Sequence, residues 1–378
     1  MTVVPQDVDN GRVDAADEAD DRQTKVASVD EGGAGSLKPV IDVIPAEAYD
    51  NPTWKGMSYF LRDLVLYLGS VIGLVVWPNP LVALPLIVLC GLAVSGLFVV
   101  AHDAAHGALF KSRRLNAFVG HVAMLPAWHV YEGWVLGHNR IHHGHTVRQG
   151  LDFTWHPYTP QDYFGMTRWR RLRHRFEWSW LGAGAYYIRE VWWNKMIVGK
   201  PPDRWAKAIR RDRVLVLAFV VVSSVGLGWL GWKQAGSVWG ASWMVVRVLV
   251  APYLFFSYLM GSFVHVHHIQ PDTRWWRRRE WTKFKGQMEG TTILWAPRVL
   301  NFFVHWIMVH VPHHVDVRIP MYRLELAADA IRAAFPDVVH DAPLRFRDFV
   351  RNTRRCKLYD FDVGEWLTYE QARARVSS

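Results

Sequence analysis

Cysteine is almost absent from this sequence of 378 residues, which has only Cys90 and Cys356. Cys90 lies inside an apolar run and Cys356 in a basic stretch near the end of the chain. This excludes a disulfide framework and a cysteine-ligated iron–sulfur cluster. The sequence also lacks the His-Pro-Gly-Gly motif of a fused cytochrome b5. If the chain is a redox enzyme, its electrons must therefore come from a partner protein.

Basic residues are scarce at the start of the chain. The first 36 residues hold nine acidic and three basic residues, a net charge of −6, whereas the whole chain carries +10 and the rest therefore +16. A polar segment without hydrophobic periodicity predicts disorder, so we expect residues 1–45 to be a disordered acidic tail. This tail is either regulatory or merely solvating. One domain is expected at residues 46–378. The basic residues form no nucleic-acid motif, which argues against a nucleic-acid partner.

Long hydrophobic runs are abundant, since 51% of the residues are hydrophobic. A bilayer core of about 30 Å needs roughly 20 helical residues. Apolar segments occur at residues 64–77, 81–101, 214–232 and 237–264, and each pair is joined by a short turn with almost no charge. We expect an all-α integral membrane protein with four transmembrane helices in two hairpins.

Three charged residues lie in or beside these segments. Arg62 and Asp63, at the edge of the first segment, are expected to pair or to reach the lipid headgroups. Arg247 interrupts the fourth segment. It is either a functional residue or a structural partner of a carboxylate or a helix-end carbonyl.

The side of the membrane follows from two arginine-rich stretches, residues 168–173 and 274–279, which come after the two hairpins. The positive-inside rule places these two stretches and both termini on the cytoplasmic side. The three histidine motifs at residues 102–106, 138–143 and 310–314 are then expected on the same side. Residues 115–136 are also fairly apolar, but they include Pro126 and Glu132. We therefore expect an interfacial or re-entrant helix there. The prediction is a cytoplasmic helical cap on the four transmembrane helices.

Histidine is frequent and clustered, with motifs at residues 102–106, 138–143 and 310–314. On an α-helix, His138 and His142 share a face and His143 lies about a hundred degrees round, so three imidazoles can lean toward one centre. A single pair of this kind is commonly a hydrogen-bonded surface pair. Three motifs, two of them with adjacent histidines, instead predict a shared metal site. The proline in the third motif predicts a helix start or a kink.

The chemistry of the donors points to two metal ions. Imidazoles without thiolates argue against a soft-metal site. One zinc ion takes three or four protein ligands, so eight or nine histidines are too many for one ion. The Glu and Glu-x-x-His pattern of carboxylate-bridged di-iron bundles is not visible. A two-metal site with neutral ligands at a membrane face suits redox iron that activates O2.

These motifs on a two-hairpin scaffold resemble the membrane fatty acid desaturase family over about residues 54–332. Further segments are similar to its Δ12/ω-6 acyl desaturase branch, at residues 186–193, 267–272, 290–292, 301–305 and 319–322. The resemblance implies a non-haem diiron enzyme, with two Fe ions as cofactor and O2 as co-substrate, that introduces a double bond into an acyl chain. The alternative on the same scaffold is a hydroxylase, ketolase or acetylenase.

The resemblance also implies the site residues. The implied metal ligands are His102, His106, His138, His142, His143, His268, His310, His313 and His314. His265 and His267 flank His268 and are easily confused with it. Residues expected to support ligands by hydrogen bonds are His145, His305, Asp103, Asn139 and Asn301. The alternative interpretation of Asp103 and Asn139 is that they are solvated polar residues that do not orient an imidazole.

The implied partners are membrane lipids, an acyl lipid, acyl-CoA or acyl-carrier substrate, and an external, ferredoxin-like electron donor. The arginine-rich face suits an acidic donor, or else it sets topology and contacts headgroups. The implied location is a bacterial plasma membrane with a cytoplasmic active site. A metal-handling or structural membrane protein is the other functional class. It is disfavoured because transporters place their ligands near the bilayer midplane, whereas these histidines lie beyond the apolar segments.

Overall fold

The computed structural model describes residues 35–377. Most of the predicted acidic tail lies outside the described residues, so its disorder remains a prediction. Residues 35–45 are placed, however, and Lys38–Ile41 forms a helical turn. Val40 and Ile44 are buried against the rest of the protein. Residues before the predicted boundary at residue 46 therefore contribute to the core.

Among residues 35–377, four helices have the length and apolar composition to cross a membrane: Thr53–Val76, Pro80–His106, Asp203–Ala235 and Val238–His268. We refer to them as the first, second, third and fourth spans. They contain the four predicted apolar segments except for one residue at the turn of each hairpin, and they extend beyond them at the other ends. The third span, for example, begins eleven residues before its predicted start at residue 214. Hydropathy located the apolar part of each helix, but it does not report the polar turns that continue it.

The first and second spans pack against each other, as do the third and fourth, and the second also packs against the fourth. Gly96 permits a close approach, because a Cβ there would lie 2.8 Å from Asp63 Oδ2 and 2.8 Å from the carbonyl oxygen of Phe303. The first and third spans expose apolar side chains such as Val65 and Val222, whereas much of the second and fourth is buried. The exposed apolar surface suits contact with lipid.

Asp63 and Arg247, two charged residues within the spans, are buried in the protein. Arg62 and Asp63 pair at 2.7 Å, as expected, but Asp63 is buried and its Oδ2 lies 2.5 Å from His305 Nε2. The buried Arg247 donates to the carbonyl oxygen of Val75 at 3.3 Å. This contact supports the structural interpretation of Arg247, since a helix-end carbonyl of the first span accepts a hydrogen bond from its guanidinium.

Residues 115–136 do not form one helix. The helix Arg113–Met124 is followed by the 3-10 turn Leu125–Ala127 and the short helix Tyr131–Trp134. Trp128 reverses the chain between them with φ of 56°. The stretch is not among the four candidate spans of the described chain, which agrees with the prediction that it does not cross the membrane. Its proline breaks the continuous helix that its apolar residues suggest.

The remaining elements are short. Two segments within longer helical regions are π-helical, Val246–Val250 in the fourth span and Tyr187–Ile197 after the helix Ala183–Tyr186. Val135–His142 and Lys285–Glu289 are also π-helical. The other helical elements are Ala46–Tyr49, Pro160–Gly165, Arg168–Glu177, Arg298–Val304, His310–Val315, Met321–Arg323, Leu324–Ala334, Phe346–Arg355 and Tyr369–Ser377.

Two small sheets depart from the predicted all-α fold. Thr292–Trp295 pairs in parallel with His340–Pro343, and Leu358–Asp360 pairs antiparallel with Glu365–Leu367. The protein is thus mostly helical rather than all-α. Strands of three or four residues are too short to show the alternation by which a strand is read from sequence.

Candidate metal centre

Nine histidines converge in two neighbouring groups. Within each group the nitrogen atoms that face the centre all lie within 4.8 Å of one another. The five-histidine group consists of His102, His106, His138, His143 and His313, and the four-histidine group of His142, His268, His310 and His314. The rings of His143 and His314, one from each group, stack with centroids 4.2 Å apart. The structure therefore brings together the nine histidines that the resemblance implies as ligands.

The second and fourth spans both end at this centre. His102 and His106 occupy the final turns of the second span, and His268 is the last residue of the fourth. The third motif forms the short helix His310–Val315, with Pro312 as its third residue. A proline in the first turn removes no helical hydrogen bond, so the predicted helix start is confirmed.

A π-helix divides the second motif between the two groups. The amide of His143 donates to the carbonyl oxygen of His138, five residues earlier, at 3.0 Å. This spacing brings the Nε2 atoms of His138 and His143 to 3.1 Å, while His142 turns into the other group. The expectation that His138 and His142 share one centre is therefore wrong, because it assumed the periodicity of an α-helix.

The outer nitrogens of four imidazoles are held by acceptor groups. Those contacts are His142 Nδ1 to Asp152 Oδ1 at 3.0 Å, His268 Nδ1 to the Gly290 carbonyl oxygen at 2.9 Å, His314 Nδ1 to Gln287 Oε1 at 2.7 Å, and His102 Nδ1 to Asp103 Oδ1 at 3.2 Å. Because these oxygens can only accept, each Nδ1 carries the proton and each Nε2 directs its lone pair inward.

The inner nitrogens fit bound metal. His138 Nε2 lies 2.9 Å from His102 Nε2 and 3.1 Å from His143 Nε2, and the buried His106 Nε2 has no hydrogen-bond partner among the described residues. Burial and then the neighbouring His313 hold the pKa of His143 well below its ordinary value of 6.5, so its imidazole is neutral. Neutral lone pairs that face one another repel unless a cation lies between them. The two groups therefore suit two metal ions.

Asp152 is a site residue that the sequence analysis missed. Its buried carboxylate accepts hydrogen bonds from the Val147 amide at 2.9 Å and the Thr154 amide at 3.0 Å, besides its contact with His142. Burial acts to raise the pKa of Asp152, but His142, and after it His268 and Thr154, lower it to about 2. Asp152 lies in a loop ten residues after His142, where no helical spacing links the two.

Asp152→Asn is expected to lower metal affinity about 10- to 100-fold, because the ligand His142 loses the charged acceptor that orients its ring. The affinity is measured from the metal retained by the purified protein during dialysis against graded chelator concentrations. Asp337→Asn, at an exposed position, is the matched control and should retain metal like the unmodified chain. Equal retention in both variants would show that Asp152 does not support His142.

Two of the predicted supporting residues lie at the centre but act differently. Asp103 contacts His102, as expected, and also accepts the amide of Met321 at 2.5 Å. Asn139 donates instead to the carbonyl oxygen of Ala105 at 2.8 Å. Asn139 therefore ties the second motif to the backbone of the first, rather than orienting an imidazole as predicted.

The other three predicted supporting residues lie outside both groups. His145 Nδ1 lies 2.9 Å from Arg148 Nη1. His305 binds the buried Asp63, and its amide donates to the carbonyl oxygen of Asn301 at 2.9 Å. The contacts of His305 and Asn301 thus link the first span to the segment before the third motif, which differs from the predicted support of a metal ligand.

The structure also separates three histidines that the sequence leaves confusable. His268 belongs to the four-histidine group, as the resemblance implies. The ring of His267 stacks on that of His310, with centroids 3.8 Å apart, and lies outside both groups. His265 packs edge-on against Trp155, with centroids 4.9 Å apart. Only the rotation of the last helical turn decides which of the three faces the centre.

A partly open cavity lies beside both groups, and its space of about 760 Å³ includes open solvent. Histidines of each group, among them His102 and His268, form part of its wall. Its apolar lining includes Phe98, Val99, Met260, Phe263, Val264 and Ile307. The lining is mostly apolar, so this cavity suits contact with an apolar molecule that lies against the imidazoles.

Both π-helices near the centre contribute to the cavity. Val135–His142 provides Gly137 and His138, and Tyr187–Ile197 provides Val191 and the partly exposed Lys195. π-helical turns are rare and often occur at functional sites. The same departure from α-helical geometry thus shapes the cavity and distributes the histidines.

Comparison with known proteins agrees with this geometry. A family model described as "Fatty acid desaturase" matches residues 58–347. The sn-1 oleoyl-lipid 12-desaturase of Anabaena variabilis is 30% identical over 339 residues, which are 87% of this chain and 91% of the relative.

More distant relatives show a similar extent of likeness. The sn-1 acyl-lipid omega-3 desaturase (ferredoxin) of Nostoc sp. (strain 36) is 28% identical over 81% of this chain and 82% of its own length. The chloroplastic omega-6 fatty acid desaturase of Arabidopsis thaliana is 26% identical over 92% of this chain and 76% of its own length. The likeness therefore covers both the spans and the histidine motifs.

Proposed function

The chain belongs to the fatty acid desaturase family, and from that membership we propose how its residues serve the reaction and which acyl group they receive. The protein is a membrane-bound, non-haem diiron desaturase that uses O2 to introduce a double bond into an acyl chain. It resembles the Δ12/ω-6 branch of the family.

Each histidine group, in this proposal, holds one iron. The convergence of nine histidines in two groups beside an apolar cavity is the observation that carries it. When bound, the irons supply the O2-dependent removal of hydrogen from an unactivated methylene. Asp152, Gln287 and the Gly290 carbonyl keep the Nδ1 protons of three ligands outward, so that Nε2 faces the metal.

The cavity, we infer, holds the acyl chain. Phe98 and Met260 would contact its methylenes and exclude water, while the wall formed by His102 and His268 would face the carbons that react. Packing along the chain would determine which carbons lie there. A displacement of about 1 Å changes the reacting position or stops the reaction.

The acyl group is proposed to be a monounsaturated chain esterified in a membrane glycerolipid. Several relatives are named oleoyl-lipid 12-desaturases, and four apolar helices keep the cavity close to the bilayer. Acyl-CoA and acyl-carrier protein are the other carriers of such chains. The substrate supplied to the purified enzyme distinguishes these three.

We further propose two transmembrane hairpins with a cytoplasmic cap in a bacterial plasma membrane, both termini being cytoplasmic. The arginines of the helix Arg168–Glu177 support this side by the positive-inside rule. An external ferredoxin-like protein supplies the electrons. The name of the Nostoc relative supports a donor of that class.

Expression in a bacterial host that lacks desaturases and is fed oleate tests the proposal. The lipids are expected to gain an acyl chain lighter by two hydrogen atoms, with its new double bond at the Δ12 position, as determined by mass spectrometry. A host that carries the empty vector is the control. A chain heavier by one oxygen atom would indicate a hydroxylase, and a new triple bond an acetylenase.

A further inference from the structure

A cationic surface segment lies near the four-histidine group. This segment, residues 274–285, holds six basic residues and one acidic residue, a net charge of +5. Arg278, Arg279 and Lys283 are exposed, and in the described chain none of them has an ion pair within 4.0 Å. Arg277, in contrast, pairs with Asp362 at 2.6 Å. The segment therefore offers positive charge that the described residues 35–377 do not neutralise.

Trp281 extends from this segment toward the metal centre. Its indole Nε1 donates to the carbonyl oxygen of Thr146 at 2.8 Å, and the guanidinium of Arg148 lies 5.5 Å from the centre of its ring. Gly286 leaves room for this contact, because a Cβ there would lie 2.8 Å from the indole nitrogen and 3.0 Å from the Thr146 oxygen. The half-buried indole is therefore held against the loop that follows the second histidine motif.

Thr146 connects the indole to a histidine of the centre. Its Oγ1 lies 3.2 Å from His314 Nδ1 and 3.1 Å from Gln287 Oε1. Trp281, Thr146 and His314 thus form a continuous series of contacts from the surface to the four-histidine group. Because electron transfer slows steeply with distance through protein, a short bonded route of this kind is a favourable place for electrons to come in.

We propose that residues 274–285 form the docking surface for the electron donor, a small acidic iron–sulfur protein, and that electrons pass inward by way of Trp281. This inference rests on the proposed function. A positive surface steers an acidic partner into contact and favours it over neutral or basic proteins. Transient redox complexes need only a small interface.

The stoichiometry of desaturation matches such a surface. Two reduced donor molecules each give up one electron, and these electrons, two protons, O2 and an acyl –CH2–CH2– unit give –CH=CH– and two water molecules. An oxidised donor must leave and a reduced one must bind within every turnover. Exposed charges suit this exchange, because they bring partners together quickly and their attraction is screened by salt.

The helix Arg168–Glu177 is also strongly basic, but its contacts lead elsewhere. Its buried His174 lies 2.8 Å from the hydroxyl of Tyr369, and Arg175 donates to Tyr163 Oη at 3.0 Å. These residues pack in a separate small cluster with the C-terminal helix. The helix therefore suits contact with lipid headgroups better than electron transfer.

The direct test measures binding of reduced [2Fe–2S] ferredoxin to the detergent-solubilised, iron-loaded enzyme. The double variant R278E/R279E is expected to raise the Kd about tenfold or more at low salt, with a smaller difference at high salt. The conservative variant R278K/R279K should retain most of the affinity. R113E/R114E makes the same charge change at an adjacent exposed pair, on a helix that packs against the first and second spans, and should bind ferredoxin normally.

Two further measurements separate docking from the reaction. The product formed after anaerobic reduction with dithionite, removal of the excess reductant and admission of O2 should be equal in R278E/R279E and the unmodified enzyme, while ferredoxin-driven turnover falls. W281F should slow the reduction of the irons by bound ferredoxin without changing the Kd. An R278E/R279E enzyme with unchanged Kd would overturn the docking surface, whereas an unmodified enzyme that forms no double bond with either reductant would overturn the proposed function.

Discussion

His142→Ala and His313→Ala are each expected to abolish desaturation. His142 belongs to the four-histidine group and His313 to the five-histidine group, so each variant removes one donor from a different proposed iron. The loss should exceed the roughly 100-fold expected from residues that only orient ligands. Product per enzyme and iron per chain are measured together, and the iron content should fall toward one ion.

His340→Ala is the control for both variants, because this histidine lies in the strand His340–Pro343, outside both groups. Its iron content and turnover should match those of the unmodified enzyme. The membrane fraction of each variant should hold equal amounts of protein, which separates a lost ligand from a lost fold. An active His142→Ala or His313→Ala enzyme would contradict the ligand assignment.

Val264→Trp is expected to lower turnover more than tenfold while leaving the iron in place. Val264 is half-buried and lines the cavity, four residues before His268 on the fourth span. An indole there would occupy space that the acyl chain needs, and overpacking a cavity typically costs about 1–3 kcal/mol of stability, which the fold should tolerate. Iron content and the yield and position of new double bonds are measured.

The same substitution outside the cavity provides the control. Val222 lies on the third span with 71% of its surface exposed, so Val222→Trp should have little effect in the membrane. Val264→Ile, a smaller enlargement, should reduce turnover less than the indole does. Full activity of Val264→Trp with unchanged product would show that the acyl chain does not lie in this cavity.

The spans and the eight histidines of the three motifs could be recognised from local sequence, whereas His268 was indicated only by the resemblance to the desaturase family. Twenty apolar residues predict a membrane helix without knowledge of the rest of the fold, and the histidine motifs are contiguous. The division of the nine into five and four could not be predicted. This division depends on the hydrogen bond between His143 and His138, five residues apart, which nothing in the sequence of the segment predicts.

The residues that orient the ligands come from farther away along the chain. Gln287 reaches His314 from a different π-helical turn, and Asp152 reaches His142 from a loop. Their positions follow from tertiary packing, which a sequence periodicity does not encode. Asn139 shows the converse, since its place inside a motif suggested a role with the imidazoles that its contact with Ala105 does not support.

The π-helix of the second motif also matters for protein engineering. Grafting residues 135–143 onto a regular α-helical scaffold would keep all three imidazoles and yet return His142 to the face of His138. The transplanted segment would then direct its imidazoles toward one metal ion, and the second ion would lack a ligand. Copying this centre therefore requires the π-helical turn as well as the three histidines. Insertion or deletion of a single residue in this turn would be as harmful as removing a ligand.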